Sequence, residues 1–180
     1  MKISFHSLFF VFISLWLSNA ASAANMLNGE EVQEVEWEQL MPADFTLDDI
    51  FDVDKLSAID DFDPQAQLIL DEMMAAMQSA PTVPDIDGKM VKLPGYVVPV
   101  ESEGQNVTEF FLVPYFGACI HTPPPPSNQI VYVSFEPGTK VENLYDAIWV
   151  TGKISTESKS HELATSGYRM EAFQIAPYDL

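Results

Sequence analysis

"KMVKLPGYVV", Lys89 to Val98, alternates and then becomes continuously apolar, which reads as a strand. A turn, Asp85-Ile86-Asp87-Gly88, precedes it. Four further runs follow, Glu109 to Tyr115, Gln129 to Phe135, Ala147 to Ile154 and Tyr168 to Ile175. All are rich in Val, Ile, Phe, Tyr or Trp, with Gly or Pro near their ends. Val141 to Asp146 offers one helical turn between the third and fourth. Five strands at these intervals, in about 90 residues, predict a mainly β fold. The expected form is a small five-stranded antiparallel barrel of the oligonucleotide/oligosaccharide-binding (OB) type, because closure removes exposed edges. Such barrels host many functions, so the fold alone assigns none.

Upstream of Pro84 the texture is helical and acidic. Thr46 precedes Leu47, Asp48 and Asp49, an N-cap followed by carboxylates that complement the helix dipole. Asp63-Pro64 is a stronger start, with proline at the first helical position. The helix should run to about Gln78 and bury Ile69, Leu70, Met73 and Met77, with Ala80-Pro81 and then Pro84 stopping it. Met73, Met74 and Met77 at this spacing fill a core more often than they bind a soft metal. The predicted layout is a signal segment over 1–23, an acidic, partly helical extension over 24–83 and a barrel over 84–180 that folds without the extension.

The first residues have the pattern of a secretory signal. Lys2 is followed by an apolar run from Leu8 to Leu17 broken only by Ser14, and Ala21-Ser22-Ala23 supplies the small residues of a cleavage site before Ala24. The run is shorter than the ~20 residues of a membrane span. A soluble exported protein located in the periplasm, with no transmembrane segment after cleavage, is the expectation. Net charge is −19. Seventeen carboxylates face only Lys55 between Glu30 and Asp87, against ten carboxylates and six basic residues from Gly88 onward. A field of that sign disfavours nucleic acid and anionic lipid, and suits solubility, cations or a basic partner.

Cys119 is the only cysteine, so in an oxidising compartment it has no partner within the chain. It lies in "GACIHTPPPPSNQ", Gly117 to Gln129, on the long connection between the second and third strands. Cys119 and His121 are two apart, so on a continuing strand both would leave one face. Pro123, Pro124, Pro125 and Pro126 read as a stiff polyproline segment suited to a fixed rim or a docking surface. Asn128 and Gln129 can hydrogen-bond backbone groups that the prolines leave unpaired.

The runs "LPGYVVPVE", "EFFLVPYFGACIHTPPPPSNQIVYV", "IWVTGKI" and "SGYRMEAFQI" resemble the bacterial family called domain of unknown function 3299, over roughly Val83 to Tyr178. The glycine-alanine-cysteine-isoleucine-histidine stretch with its polyproline tail is the specific part. The resemblance implies an exported protein of Gram-negative bacteria with no established activity. It also implies an association with envelope transport systems of the ABC type, including metal-linked ones. The acidic region upstream lies largely outside it.

Three roles for Cys119 and His121 compete. Cysteine is among the most buried residue types, so Cys119 can be core with His121 bonded to backbone. Thiolate and imidazole also suit zinc or copper, with His161, Glu162 or another carboxylate completing the set. Finally, His121 could lower the pKa of Cys119 and make it a nucleophile. Elsewhere His161-Glu162 is half of a metalloprotease signature without its second histidine. Asn106-Val107-Thr108 matches a glycosylation acceptor by pattern alone, and Asp44 to Asp63 lacks the glycine and spacing of a calcium loop. Trp37, among Glu34, Glu36 and Glu38, reads as part of a docking strand. The reading that results is a non-enzymatic accessory protein binding an envelope protein partner or a metal ion, with a thiol-dependent enzyme as the alternative. The expected binding loop comprises Gly117, Cys119, His121, Pro123 to Pro126, Asn128 and Gln129.

Overall fold

A computed structural model describes residues 26–46, 64–103, 106–118, 124–140, 143 and 145–178. The signal segment, the helix expected after Thr46, and Cys119, His121 and Pro123 lie outside the described residues. Three two-residue strands come first, β1 (Met26–Leu27), β2 (Glu30–Glu31) and β3 (Gln33–Glu34), followed by a 3-10 turn over Trp37–Leu40. Asn28 and Gly29 join β1 to β2 with φ of 54° and 84°. Two consecutive left-handed residues are what a tight hairpin turn of this hand requires. Helix α1 (Pro64–Gln78) has the predicted limits. After a 3-10 turn at Pro84–Ile86 come β4 (Met90–Glu103), β5 (Asn106–Val113), β6 (Val131–Lys140), β7 (Ile148–Ser155), β8 (Lys159–Ser160), β9 (Thr165–Ser166) and β10 (Tyr168–Pro177).

Five of these strands close a barrel in the order β4-β5-β6-β10-β7 and back to β4. The five predicted strands are therefore all present and closed. The barrel is mixed, because β10 runs parallel to β6 over Tyr168↔Val131 to Glu171↔Ser134, while its other four seams are antiparallel. The opening stretch explains the closure. Met90 to Gly95 pairs with β7, and Tyr96 onward pairs with β5, so β4 changes partner at Pro94-Gly95. A side chain at Gly95 would meet Leu112 Cγ and the Val113 carbonyl oxygen at 2.8 Å, so the crossing needs glycine.

Leu93, Val97, Phe110, Leu112, Val133 and Ile154 fill the interior with Tyr168 and Met170, and Phe135, Ile148 and Ile175 pack at its margin. Val35, Trp37 and Leu40 belong to the same core. Two polar ties hold them there. Tyr168 donates its hydroxyl to the Leu40 carbonyl at 2.8 Å and accepts the Val83 N–H at 2.7 Å. The Trp37 indole donates to the Pro94 carbonyl at 2.7 Å. The core therefore crosses the boundary expected at Pro84, and Trp37 is an interior residue rather than part of a docking strand. Its 3-10 turn carries a capping box in which Gln39 Oε1 accepts the Glu36 N–H at 2.8 Å.

Helix α1 is less buried than its spacing predicts. Met77 is buried, as is Ala80 just beyond the helix, but Leu70 is 49% exposed and Leu68 63%. Burial is concentrated at its last turn, beside the tie to Val83. A second apolar cluster lies outside the barrel, where Val98, Phe111 and Tyr132 occupy one cross-strand row on β4, β5 and β6. Ala118 and Ala164 complete it with Val113 and Ile130. Ala164 comes from the short β8–β9 hairpin, so the outer face of β5 and β6 is covered by the chain itself.

Candidate binding site

The signature stretch turns inward after its prolines. Pro125 and Pro126 are buried and Pro124 is half-buried, with Pro126 in the polyproline region at φ −53°, ψ 148°. Ser127–Gln129 then forms a 3-10 turn. Asn128 Nδ2 donates to the Pro81 carbonyl at 2.8 Å, Gln129 Nε2 to the Trp37 carbonyl at 2.9 Å, and Ser127 Oγ to the Ala80 carbonyl at 3.3 Å. The Gly167 N–H donates to the Ser127 carbonyl at 2.6 Å. Asn128 and Gln129 thus bond to distant segments, and the turn fastens Trp37, Ala80-Pro81 and Gly167 to one another. These donors are occupied by the fold, although Asn128 Oδ1 is buried without a hydrogen-bond partner among the described residues, and Pro125 and Pro126 present no open rim for docking.

Gly117 takes φ 80°, and Ala118 is buried in the outer cluster. The third proposed metal ligand, His161, is exposed in the β8–β9 turn. Its Nδ1 accepts the Leu163 N–H at 3.2 Å, and its ring lies edge-on to Phe111 with centroids 6.0 Å apart. His161 and Ala118, the neighbour of Cys119 in sequence, therefore both meet the Phe111 cluster. Glu162 is exposed beside it. Among the described residues no three His, Cys, Asp or Glu side chains converge as a metal site.

In the same cluster the Tyr132 hydroxyl donates to Glu109 Oε2, and Lys159 Nζ stands 5.0 Å from the centre of the Tyr132 ring. Burial, then the hydrogen bond and charge of Glu109, push the Tyr132 phenol up to about 12. Burial also raises Tyr168, partly opposed by the Val83 N–H. Both folded values exceed that of the unfolded chain, about 10. The folded state therefore holds their protons more tightly. The associated stability is complete below pH ~10 and is lost as pH rises through the folded values. Alkaline titration should show the Tyr132 phenol ionising near pH ~12 and Tyr168 above its ordinary value, each with loss of the circular dichroism of the barrel. Ionisation of both on an intact barrel at pH ~10 would contradict it.

Two of the depressions among the described residues bear most on ligand binding. The larger, about 840 Å³, runs where β6 and β10 part and is lined by Ser134, Phe135, Lys153, Arg169, Glu171 and Phe173 among others. Its cations are engaged, Arg169 with Glu157 at 3.1 Å and Lys153 with Glu30 at 3.7 Å. The smaller, about 460 Å³, is walled by Pro94, Pro114 and Pro177 and by Trp37, Tyr96, Tyr145 and Tyr178, with Asp146 as its one charged lining residue among those described. Phe116 stacks on Tyr145 with centroids 4.3 Å apart and meets Tyr96 edge-on at 6.4 Å. Tyr145, Tyr115 and Phe116 are exposed by 68, 49 and 40%. Aromatic area of this extent beside a preformed groove is how binding surfaces are built. Of these aromatics only Trp37 was singled out in the sequence, as part of a docking strand, because the group comes from five separate segments. Tyr115-Phe116 directly before Gly117 was the local sign.

A family model described as protein of unknown function (DUF3299) matches residues 37–177. The crystal structure of a DUF3299 family protein from Pseudomonas aeruginosa is similar, with 43% identity and a TM-score of 0.62, covering 82% of this chain and 97% of that one. An OBody bound to hen egg-white lysozyme is 14% identical with a TM-score of 0.35, covering 53% of this chain and 86% of that one. No curated protein matches. The match begins at Trp37 rather than near Val83, and so takes in the buried turn that completes the core. From that turn to the end of β10, the chain belongs to the DUF3299 family.

Proposed function

We propose that this protein is an exported accessory protein of the bacterial envelope that acts by docking another protein at the aromatic groove. The signal-like residues 1–23, with cleavage before Ala24, support export to the periplasm. The family resemblance supports a partner belonging to an ABC-type transport system. The observation that carries the docking reading is the stacked, exposed Phe116–Tyr145 pair at the mouth of a groove already formed by Trp37 and three prolines. Rigid aromatic side chains lose little entropy on binding and supply large contact areas.

A second reading is that Cys119, His121 and His161 hold a zinc or copper ion. The meeting of His161 and Ala118 on the Phe111 cluster favours it. One experiment separates the two. The mature protein, carrying a photo-crosslinking residue at Phe116, is isolated from the envelope without chelators, alone and with Tyr145→Ala or Cys119→Ser. Docking at the groove predicts a discrete crosslinked partner whose yield falls about tenfold with Tyr145→Ala, the loss expected from one hot-spot aromatic. It also predicts no change with Cys119→Ser. A stoichiometric ion lost with Cys119→Ser, and a crosslink indifferent to Tyr145, would give the second reading instead.

A further inference from the structure

We infer that the segment seated in this groove is cationic, an extended stretch of the partner carrying arginine. The inference rests on the docking reading and adds the chemistry of the occupant. Asp146 lines the groove, with Asn143 Nδ2 at 3.1 Å as its side-chain hydrogen-bond partner. Glu36 and Glu38, both exposed, flank Trp37 in the chain, and no lysine, arginine or histidine is among the described lining residues. Charge complementarity therefore selects the occupant. A neutral apolar segment would cover the Asp146 carboxylate without pairing it, which is costly. An acidic segment would meet like charge here and the −19 field of the whole chain.

A cation gains on both counts, because the faces of Tyr145, Tyr96 and Phe116 attract it and Asp146 pairs with it. Arginine fits better than lysine. Its guanidinium is planar, sheds water more easily, stacks on rings and can bond a carboxylate through two N–H groups. Prolines in the walls keep the groove open without side-chain ordering on binding. An extended backbone suits a groove of this size, as in other aromatic-lined peptide sites.

The test uses the full mature chain and three short peptides, one alternating proline and arginine, one with citrulline in place of arginine, and one with glutamate. Citrulline keeps the shape and removes the charge. Binding is followed by NMR at the Trp37 indole N–H, told apart from that of Trp149 by a Trp149→Phe variant. The arginine peptide should shift that resonance saturably. Citrulline should weaken binding about tenfold, the worth of one charged hydrogen-bonded pair. Asp146→Asn should weaken the arginine peptide by a similar factor and leave the citrulline peptide unchanged. Equal affinity for arginine and citrulline peptides, or no saturable response to arginine, would overturn the inference. The docking reading is judged separately, by the dependence of the Phe116 crosslink on Tyr145.

Discussion

A chain that begins at Pro84 is expected to lose cooperative folding, although its strands are complete. It lacks Val35, Trp37 and Leu40, which are 1, 8 and 0% exposed inside the barrel core. Truncating a buried leucine or tryptophan to alanine costs about 2–5 kcal/mol, and the cavity left is part of that cost. Losing all three residues with their backbone should cost roughly 5–10 kcal/mol, comparable with the whole stability of a domain at ~5–15 kcal/mol. Polar losses come with it. Tyr168 would lose both its Leu40 acceptor and its Val83 donor, and Gln129 its bond to the Trp37 carbonyl. Thermal melts followed by circular dichroism should show a sharp transition for a chain starting at Ala24 and a broad, featureless one for the chain starting at Pro84. Leu40→Ala in the longer chain should lower stability by about 2–5 kcal/mol. A sharp transition in the Pro84 chain would show that the barrel closes without this turn.

That expectation reverses the natural reading of the sequence, and the reason is physical. Trp37 stands between glutamates, so local polarity suggests an exposed strand. Yet Val35, Trp37 and Leu40 are the apolar positions of "VEWEQL", and Glu36 with Gln39 is a capping box that marks a turn. The sign was present in side-chain spacing and hidden by net charge. By contrast, the five barrel strands were legible because β-branched and aromatic runs bounded by Gly and Pro are a local signal. So was α1, which begins at Pro64 and stops before Ala80-Pro81 as the sequence predicts.

Partners were not legible. The parallel β6–β10 seam depends on where the chain returns after the connection from Thr156 to Gly167, and pairing of that kind is tertiary. The β8–β9 hairpin is two residues long on each side and polar at Lys159-Ser160, so it carries no periodic signal. The groove suffers most from this. Trp37, Tyr96, Tyr145 and Tyr178 are brought together only by barrel closure, so no spacing in the chain announces them. The polyproline stretch did announce itself, but Pro125, Pro126 and Asn128 turned out to serve the interior.

Gly152→Ala is expected to be strongly destabilising although it adds a single methyl group. Gly152 lies on β7 opposite Val91 of β4 and Ala172 of β10, where both seams of the strand must be tight. A Cβ there would collide with the Glu171 carbonyl oxygen and meet Ala172 Cα and Met170 Cγ at 2.8 Å. Two of these three atoms are backbone and cannot rotate away, so the strands must separate. Overpacking in a tight core costs about 1–3 kcal/mol where side chains can yield, and the upper end or more is expected where they cannot. For a domain of this size a loss of ~3 kcal/mol lowers Tm by roughly 10 °C. Gly117→Ala is the contrast. There φ is 80° but nothing lies within 4 Å, so only the conformational cost of about 1–2 kcal/mol applies. The damage at Gly152 should also reach the groove. The β7–β10 register that follows the irregularity at Phe173 pairs Trp149 with Ala176 and Ile148 with Pro177, and so sets Pro177 and Tyr178 against Ala147. Separation of that seam should therefore shift the Trp37 indole resonance as well as Tm. Equal small losses at Gly152 and Gly117, with the Trp37 resonance unmoved, would mean that the seam can widen without disturbing the groove.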